Sequence, residues 1–458
     1  MRVRKIIFNV VVPAMLALLF AACGGADRRA TRRSVAPAAA VAAPVARRSL
    51  PPLPNRPLSP ELQIVRERAA TTASTLRGLD WKSGVGMTEL SGWEYGTRTK
   101  EVAEVLGGDD LKALSRLVIA GGILPPGTDL ATLAVSFTAV SAGATYSPLD
   151  RQVLLLAGES KNDFRNNSLL THEFVHALQD QHFDLLPLLA ARPYNFDRTE
   201  AVFALVEGDA MNVQRRFESG DAWARRSLDD IARQEDERFK EYRQGIGALF
   251  PPLLTETFIF RYRDGARFVE TLRRSRPPRN ANDLFQNPPR SSEHVLHPEK
   301  YLAMLAGKVG DEPREVSLNE AAFADGGWRA AASTPLGEIG VRGLLMAGMP
   351  AREAARAAAG WGGDRAYLFE RDGHAPLFVW KTVWDKREDA SEFFRAYNTL
   401  QQGQSTPAAT GAINAGGESF TVWRDDGLTV VVRLEADGVL VIRGAEVDLT
   451  EALQQAQR

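Results

Sequence analysis

Residues 172–176 read His172-Glu173-Phe174-Val175-His176, a pattern whose residue types and spacing suit metal-assisted hydrolysis. On an α-helix, residues i and i+4 lie on one face, about 40° apart around the axis. Two imidazoles at this spacing can bind one Zn²⁺ ion. Glu173 directly follows the first imidazole and is placed to act on water as a general base. The alternative is a pair of surface histidines on an ordinary amphipathic helix, and the glutamate between them disfavours it.

The residues around this pattern favour a helix. No Gly or Pro occurs from residue 169 to residue 182, and Pro187 stops any continuation. At about 100° per residue, the apolar side chains gather on one side and the polar ones on another. The apolar side holds Leu170, Phe174, Ala177 and Leu178, and the polar side holds His172, Glu173, His176 and Asp180. Asp180 lies one turn after His176, where it is placed to accept a hydrogen bond from that imidazole.

A catalytic zinc ion usually has three protein ligands, so a third ligand is needed. A second helical segment begins near residue 197 and contains two glutamates on one face, Glu200 and Glu207. Either carboxylate is a candidate ligand, and local geometry does not choose between them. Each glutamate could equally be a solvated helix residue, which is the usual place for glutamate.

The HExxH pattern followed by a Glu on the next helix resembles the gluzincin metallopeptidases, the thermolysin-like clan. A longer set of strings is similar to a family of prokaryotic HExxH surface lipoproteins. These strings lie at residues 122–127, 171–184, 204–210, 291–301 and 360–365. The resemblance therefore covers most of the chain from about residue 60 onward.

By that resemblance, Glu207 is the third ligand, one Zn²⁺ ion is the cofactor and a peptide or protein is the substrate. The chain departs from the thermolysin-like pattern at one position. Those enzymes have an Asp four residues after the ligand Glu, and it supports the first His. Met211 stands there in this chain. The candidates to replace that Asp are Asp180, Asp209 and Glu200.

The resemblance also implies a helical subdomain that supplies a Tyr, His or Arg to stabilise the oxyanion of the reaction. The candidates are Tyr262, His294, His297 and Tyr301. His297 is the first choice, ahead of Tyr262, and its position before Pro298 favours an extended backbone. Each of these side chains could equally be a packing or capping residue.

The N-terminus resembles a bacterial lipoprotein signal. A basic start is followed by an apolar run and then by Ala22-Cys23-Gly24, so residues 1–22 are expected to be removed and Cys23 to carry lipid. The competing interpretation is an uncleaved anchor helix. Residues 23–59 are rich in Ala, Pro and Arg, as in an extended linker. We therefore expect an extracytoplasmic, lipid-anchored protein of the bacterial cell envelope, in the outer membrane if the host has two. The net charge of −1 argues against a nucleic-acid partner.

The pattern of elements predicts an α+β fold. A zincin-like domain is expected at residues 60–350 and a small α+β module at residues 360–458. Two strand signals, at residues 135–140 and 152–157, flank a turn at residues 147–150. In zincins, an edge strand before the HExxH helix pairs with the peptide substrate. An internal strand without substrate contact is equally compatible with the sequence.

Two other functions fit the same residues. One is a non-enzymatic envelope protein, used for binding or assembly, with a structural metal or none. The presence of Glu173 argues against it, because a structural site needs no base. The other is a latent peptidase whose N-terminal helices or C-terminal module cover the cleft.

Overall fold

The computed structural model describes residues 50–456, apart from residues 131, 134–135, 137–142, 159–163, 191–192, 309–311, 413–418 and 426. The expected signal peptide, Cys23 and most of the linker therefore lie outside the described residues. The described chain is a mixed α+β structure with many helices and two separate sheets, in agreement with the predicted class.

The helices bury their apolar faces on one another and on both sheets. They are α1 (Pro60–Arg77), α2 (Gly92–Ala120), α3 (Phe164–Phe183), α4 (Leu185–Leu189), α5 (Phe196–Ser219), α6 (Asp221–Arg225), α7 (Leu228–Gln244), α8 (Pro252–Ile259), α9 (Gly265–Arg273), α10 (Ala281–Gln286), α11 (Ser292–Leu296), α12 (Pro298–Leu305), α13 (Glu320–Asp325), α14 (Gly337–Leu345), α15 (Ala351–Ala358), α16 (Arg387–Gln404) and α17 (Glu446–Ala456). A 3₁₀ turn (Ile246–Leu249) precedes α8, and a π-helical turn (Phe260–Asp264) joins α8 to α9. None of the helices within the described ranges is long and apolar enough to cross a membrane.

The strands form a three-stranded sheet and a seven-stranded sheet. They are β1 (Gly86–Leu90), β2 (Ala144–Ser147), β3 (Gln152–Leu156), β4 (Arg329–Thr334), β5 (Trp361–Glu370), β6 (Leu377–Trp384), β7 (Thr406–Ala412), β8 (Ser419–Asp425), β9 (Leu428–Leu434) and β10 (Gly438–Gly444). The small sheet has the order β1-β3-β2, with β1 parallel and β2 antiparallel to β3. The large sheet has the order β4-β5-β6-β10-β9-β8-β7, and all its neighbours are antiparallel.

The small sheet matches the predicted strands in part. β3 begins at Gln152, as predicted, whereas the strand predicted at residues 135–140 lies outside the described residues except for residue 136. The predicted turn at residues 147–150 is confirmed at residues 148–150, whereas Ser147 ends strand β2 and pairs with Gln152. β3, the strand directly before α3, lies in the middle of the small sheet, and β2 lies at its edge. Strand β1 was not predicted, since Gly86-Met-Thr-Glu-Leu90 is too short to show a pattern.

The predicted boundary between residues 350 and 360 is wrong in one respect. Strand β4, at Arg329–Thr334, already belongs to the large sheet and pairs with β5. Strand β7, at Thr406–Ala412, forms the opposite edge of the same sheet. One hydrophobic core joins the two parts, since Phe174 of α3 and Trp380 of β6 belong to the same buried cluster. The C-terminal sheet is therefore packed onto the helices rather than tethered to them.

Candidate metal centre

The two histidines and Glu207 meet between helices α3 and α5, which pack side by side. The Nε2 atoms of His172 and His176 lie 2.9 Å apart. Glu207 Oε2 lies 3.2 Å from His172 Nε2 and 3.3 Å from His176 Nε2. Among the described residues, these three form the one group of His, Cys, Asp or Glu side chains that is close enough to hold a metal ion. The structure thus brings Glu207 next to two histidines, the first of which lies 35 residues before it in the sequence.

These distances fit a zinc ion. Ligand atoms about 2.0–2.2 Å from a tetrahedral Zn²⁺ lie about 3.3 Å from one another, close to the spacing of the three ligand atoms here. Three buried atoms at the site have no hydrogen-bond partner among the described residues: His172 Nδ1, Glu173 Oε1 and Glu207 Oε1. Buried polar atoms are normally paired, so the unpaired carboxylate oxygens are available to a metal ion and to water.

Burial controls the electrostatics of the centre, because the side chains of His172, Glu173, His176 and Glu207 are fully buried. Burial lowers the pKa of His172 to about 4 and raises the pKa of Glu173 to about 8. Burial also opposes the charged forms of His176 and Glu207. Their mutual attraction outweighs it, so the pKa of His176 is raised and the pKa of Glu207 is lowered.

Glu173 is fixed by the edge strand. Its Oε2 accepts a hydrogen bond from the backbone N–H of Tyr146 on β2, at 2.7 Å, while Oε1 has no partner among the described residues. One oxygen is thus anchored and the other is available to accept a proton. A carboxyl group whose pKa lies near neutrality suits the transfer of a proton to and from a substrate.

The imidazole of His176 is supported by Gln179 and not by Asp180. Gln179 Oε1 lies 2.8 Å from His176 Nδ1. Asp180 faces the small sheet instead, where it accepts hydrogen bonds from the Tyr146 hydroxyl and the Leu185 backbone N–H. The prediction for Asp180 was wrong because the Nδ1 atom of His176 points toward residue i+3, Gln179, rather than toward residue i+4, Asp180.

Asp209, one of the three candidates to replace the missing Asp, acts on His176 through Gln179. Its Oδ2 accepts hydrogen bonds from Gln179 Nε2, at 2.9 Å, and from Arg77 Nε, at 2.7 Å. Met211 occupies the position four residues after Glu207, where the thermolysin-like enzymes have an Asp. It packs in an apolar cluster with Tyr262. The spacing from His176 could have indicated Gln179, but no sequence signal connects Arg77 to the centre.

Glu200 does not reach the histidines. Both of its oxygens accept hydrogen bonds at 2.6 Å from Arg261, whose guanidinium also lies over the Phe203 ring. The pair is buried, with side-chain exposures of 5% for Arg261 and 1% for Glu200. Of the two carboxylates that the sequence left open, only Glu207 therefore lies at the centre.

Among the four candidates for oxyanion stabilisation, Tyr262 lies beside the histidines. Its ring centroid is 6.3 Å from that of His172, and it occupies the π-helical turn, a type of irregularity common at functional sites. The other three are engaged elsewhere. His297 Nε2 lies 3.0 Å from Glu338, the Tyr301 hydroxyl donates to the Asn287 carbonyl, and His294 Nδ1 accepts from the Arg290 backbone N–H. The preference for His297 over Tyr262 is therefore reversed.

The strings at residues 291–301 and 360–365 form a joint between the helices and the large sheet. Asp197, in the first turn of α5, accepts a hydrogen bond from the Ser292 backbone N–H at 2.8 Å. Asp364 accepts from the backbone N–H groups of Leu336 and Gly337, both at 2.9 Å, and from two Trp indoles. Ten residues separate Asp197 from Glu207, or about 15 Å along the helix. These strings therefore position α5 without lining the metal centre.

Comparisons with known proteins assign part of the chain. Residues 324–454, which contain the large sheet, match a family model described as Domain of unknown function (DUF8575). No curated protein and no solved structure matches the chain. The matched segment begins just before β4, close to where the sheet itself begins, and it contains none of the residues of the metal centre.

Proposed function

We propose that this protein is a zinc-dependent metallopeptidase with a zincin-like catalytic domain. The observation that carries the proposal is the buried group His172, His176 and Glu207 with Glu173 beside it. The order of elements also supports it, since an antiparallel edge strand precedes the HExxH helix and a glutamate helix follows. His172, His176 and Glu207 would hold the ion.

Zinc, when bound, supplies a Lewis acid that acidifies water and polarises a carbonyl group. The side chains of the protein transfer the proton and stabilise the oxyanion. Glu173 Oε1 accepts a proton from the attacking water and passes it to the leaving amine. Strand β2 holds Glu173 in place through the backbone N–H of Tyr146. Tyr262, beside His172, is our candidate donor to the oxyanion that forms at the substrate carbonyl.

The proposal also includes a cellular location, the bacterial cell envelope. Cys23 would be acylated after removal of residues 1–22, and the enzyme would act on peptides or proteins at the bacterial cell envelope. Replacing Cys23 by Ala should move the full-length protein from the membrane fraction to the soluble fraction. Membrane association that survives Cys23→Ala would contradict the anchor and leave the zinc chemistry untouched.

The decisive variant for catalysis is Glu173→Gln. It keeps the size of the side chain but removes the proton acceptor. We expect about one zinc ion per chain to be retained and the hydrolysis of a quenched-fluorescence peptide library to fall by about 100- to 10,000-fold. A zinc-loaded Glu173→Gln protein that hydrolyses peptides as fast as the parent would overturn the proposal.

A structural metal centre is the second candidate function, and the complete burial of all four side chains favours it. A peptide can reach a fully buried Glu173 only after the surrounding residues rearrange. Limited proteolysis separates the two functions. Activity that appears after cleavage identifies a latent peptidase, whereas a zinc-loaded chain that stays inactive under every cleavage condition identifies a structural centre.

A further inference from the structure

We propose that Arg77 on α1 is a positioning residue of the metal centre, acting through Asp209 and Gln179 to determine which nitrogen of His176 faces the metal. This inference rests on the proposed zinc site. It connects the metal centre to α1, a helix that lies about 100 residues before the HExxH pattern.

A continuous chain of hydrogen bonds joins the two ends. Arg77 Nε donates to Asp209 Oδ2 at 2.7 Å, Gln179 Nε2 donates to the same oxygen at 2.9 Å, and Gln179 Oε1 lies 2.8 Å from His176 Nδ1. The Arg77 and Asp209 side chains are each only 5% exposed. Solvent therefore screens this chain weakly. We call these four residues the His176 relay.

The chemistry of each group determines which group donates and which accepts each hydrogen bond of the relay. A guanidinium group can only donate, and the carboxylate paired with it can only accept. The amide nitrogen of Gln179 must therefore face Asp209, and it also donates to the Val206 carbonyl at 3.0 Å. The amide oxygen is then left for His176. Because that oxygen can only accept, His176 Nδ1 carries a proton and Nε2 presents its lone pair to the metal.

Arg77 holds the Asp209 carboxylate of the relay in place. With Arg77 in place, Asp209 Oδ2 is held as an acceptor by a permanent cation. Arg77 is itself fixed by a second bond, from Nη2 to Asn282 Oδ1 on α10, at 2.8 Å. Without that cation, the Asp209 carboxylate is no longer held in place, and Gln179 Nε2 keeps only the Val206 carbonyl as a fixed acceptor. The ligand atom His176 Nε2 is then no longer pre-organised.

The test compares Arg77→Met and Gln179→Met with a matched control, Arg98→Met, all in the full-length chain. Arg98 forms an equivalent buried pair with Asp150, whose side-chain exposures are 6% and 8%, but it makes no contact with the relay. Three quantities are measured: the zinc dissociation constant, the d–d absorption spectrum of the cobalt-substituted protein, and the ¹⁵N-histidine spectrum that reports the proton on Nδ1. Unfolding in the presence of a chelator measures stability separately.

We expect Arg77→Met and Gln179→Met each to weaken zinc binding by about 10- to 100-fold and to change the cobalt spectrum and the Nδ1 proton signal of His176. The double variant should bind zinc no more weakly than Gln179→Met alone, because both substitutions break one relay. Arg98→Met should lower stability only. Equal losses of zinc affinity in Arg77→Met and Arg98→Met, or additive losses in the double variant, would overturn the proposed role of Arg77. Either result would leave the proposed zinc site standing. A parent chain that binds no zinc would overturn the proposed function as well.

Discussion

Gly208 and Gly265 bring two helices into backbone contact directly beside the candidate ligand Glu207. A Cβ atom on Gly208 would lie 2.2 Å from the Gly265 backbone, and one on Gly265 would lie 2.1 Å from the Ala204 carbonyl oxygen. No side chain can fit at either position unless α5 and α9 separate. The Glu207-Gly208 pair therefore places the proposed ligand carboxylate next to the contact that fixes its helix.

Because of this contact, we expect Gly208→Ala to lower both the stability and the zinc affinity of the protein. The added methyl group must push α9 away, at a cost of about 1–3 kcal/mol in the free energy of unfolding, and zinc affinity should fall because Glu207 moves. Gly96→Ala on α2 is the control, since a Cβ atom there meets nothing within 4 Å. That variant should be as stable as the parent or up to about 1 kcal/mol more stable. Urea unfolding measures the stability of both variants. Equal stabilities would show that the close contact between α5 and α9 does not limit the residue at position 208.

The choice between the two glutamates gives a second prediction. Glu207→Gln should abolish tight zinc binding while the chain stays folded. Glu200→Gln should keep one zinc ion per chain but lower stability, because it leaves the Arg261 guanidinium buried without its charged partner. Zinc titration and thermal unfolding of both variants in chelator are the measurements. Loss of zinc from a folded Glu200→Gln protein would move the third ligand to Glu200.

A third prediction concerns Tyr262. Tyr262→Phe keeps the ring beside His172 but removes the hydroxyl group, so kcat should fall by about 100-fold while KM and zinc content stay near the parent values. The control is Tyr301→Phe, whose hydroxyl group binds the Asn287 carbonyl and which should leave kcat unchanged. Identical kinetics for the two variants would remove Tyr262 from the chemistry.

The dependence of stability on pH gives a fourth prediction, at the joint between the helices and the large sheet. Burial raises the pKa of Asp197 to about 8. Between the ordinary pKa of Asp, about 4, and this value, the folded chain holds a proton that the unfolded chain has lost. Asp197 therefore favours folding less as the pH rises through this window, by at most about 1.4 kcal/mol per pH unit.

Asp197→Asn removes this titration while its amide oxygen can still accept the hydrogen bond from Ser292. The variant should gain stability relative to the parent as the pH rises from 5 to 8, as measured by urea unfolding at each pH. Asp437→Asn, at a side chain that is 62% exposed, serves as the control. A pH profile of Asp197→Asn that runs parallel to the parent's would contradict the account of the joint.

The sequence predicted the HExxH helix because its periodicity and its ligand spacing are both local. It could not choose between Glu200 and Glu207, since that choice depends on where Arg261 packs. It also misplaced the support of His176, because the pattern shows that Asp180 and Gln179 are near but not which way the ring faces. Strands β4 and β7 escaped prediction because Ala- and Gly-rich segments become strands only through pairing with their neighbours.

The zinc content of the purified protein shows whether His172, His176 and Glu207 bind a metal ion. The full-length chain and its His176→Ala variant would be loaded with zinc at neutral pH, dialysed against metal-free buffer and measured by elemental mass spectrometry. We expect about one zinc ion per parent chain and almost none in the variant. A folded parent chain without zinc, or a variant that retains as much zinc as the parent, would contradict the proposed zinc site.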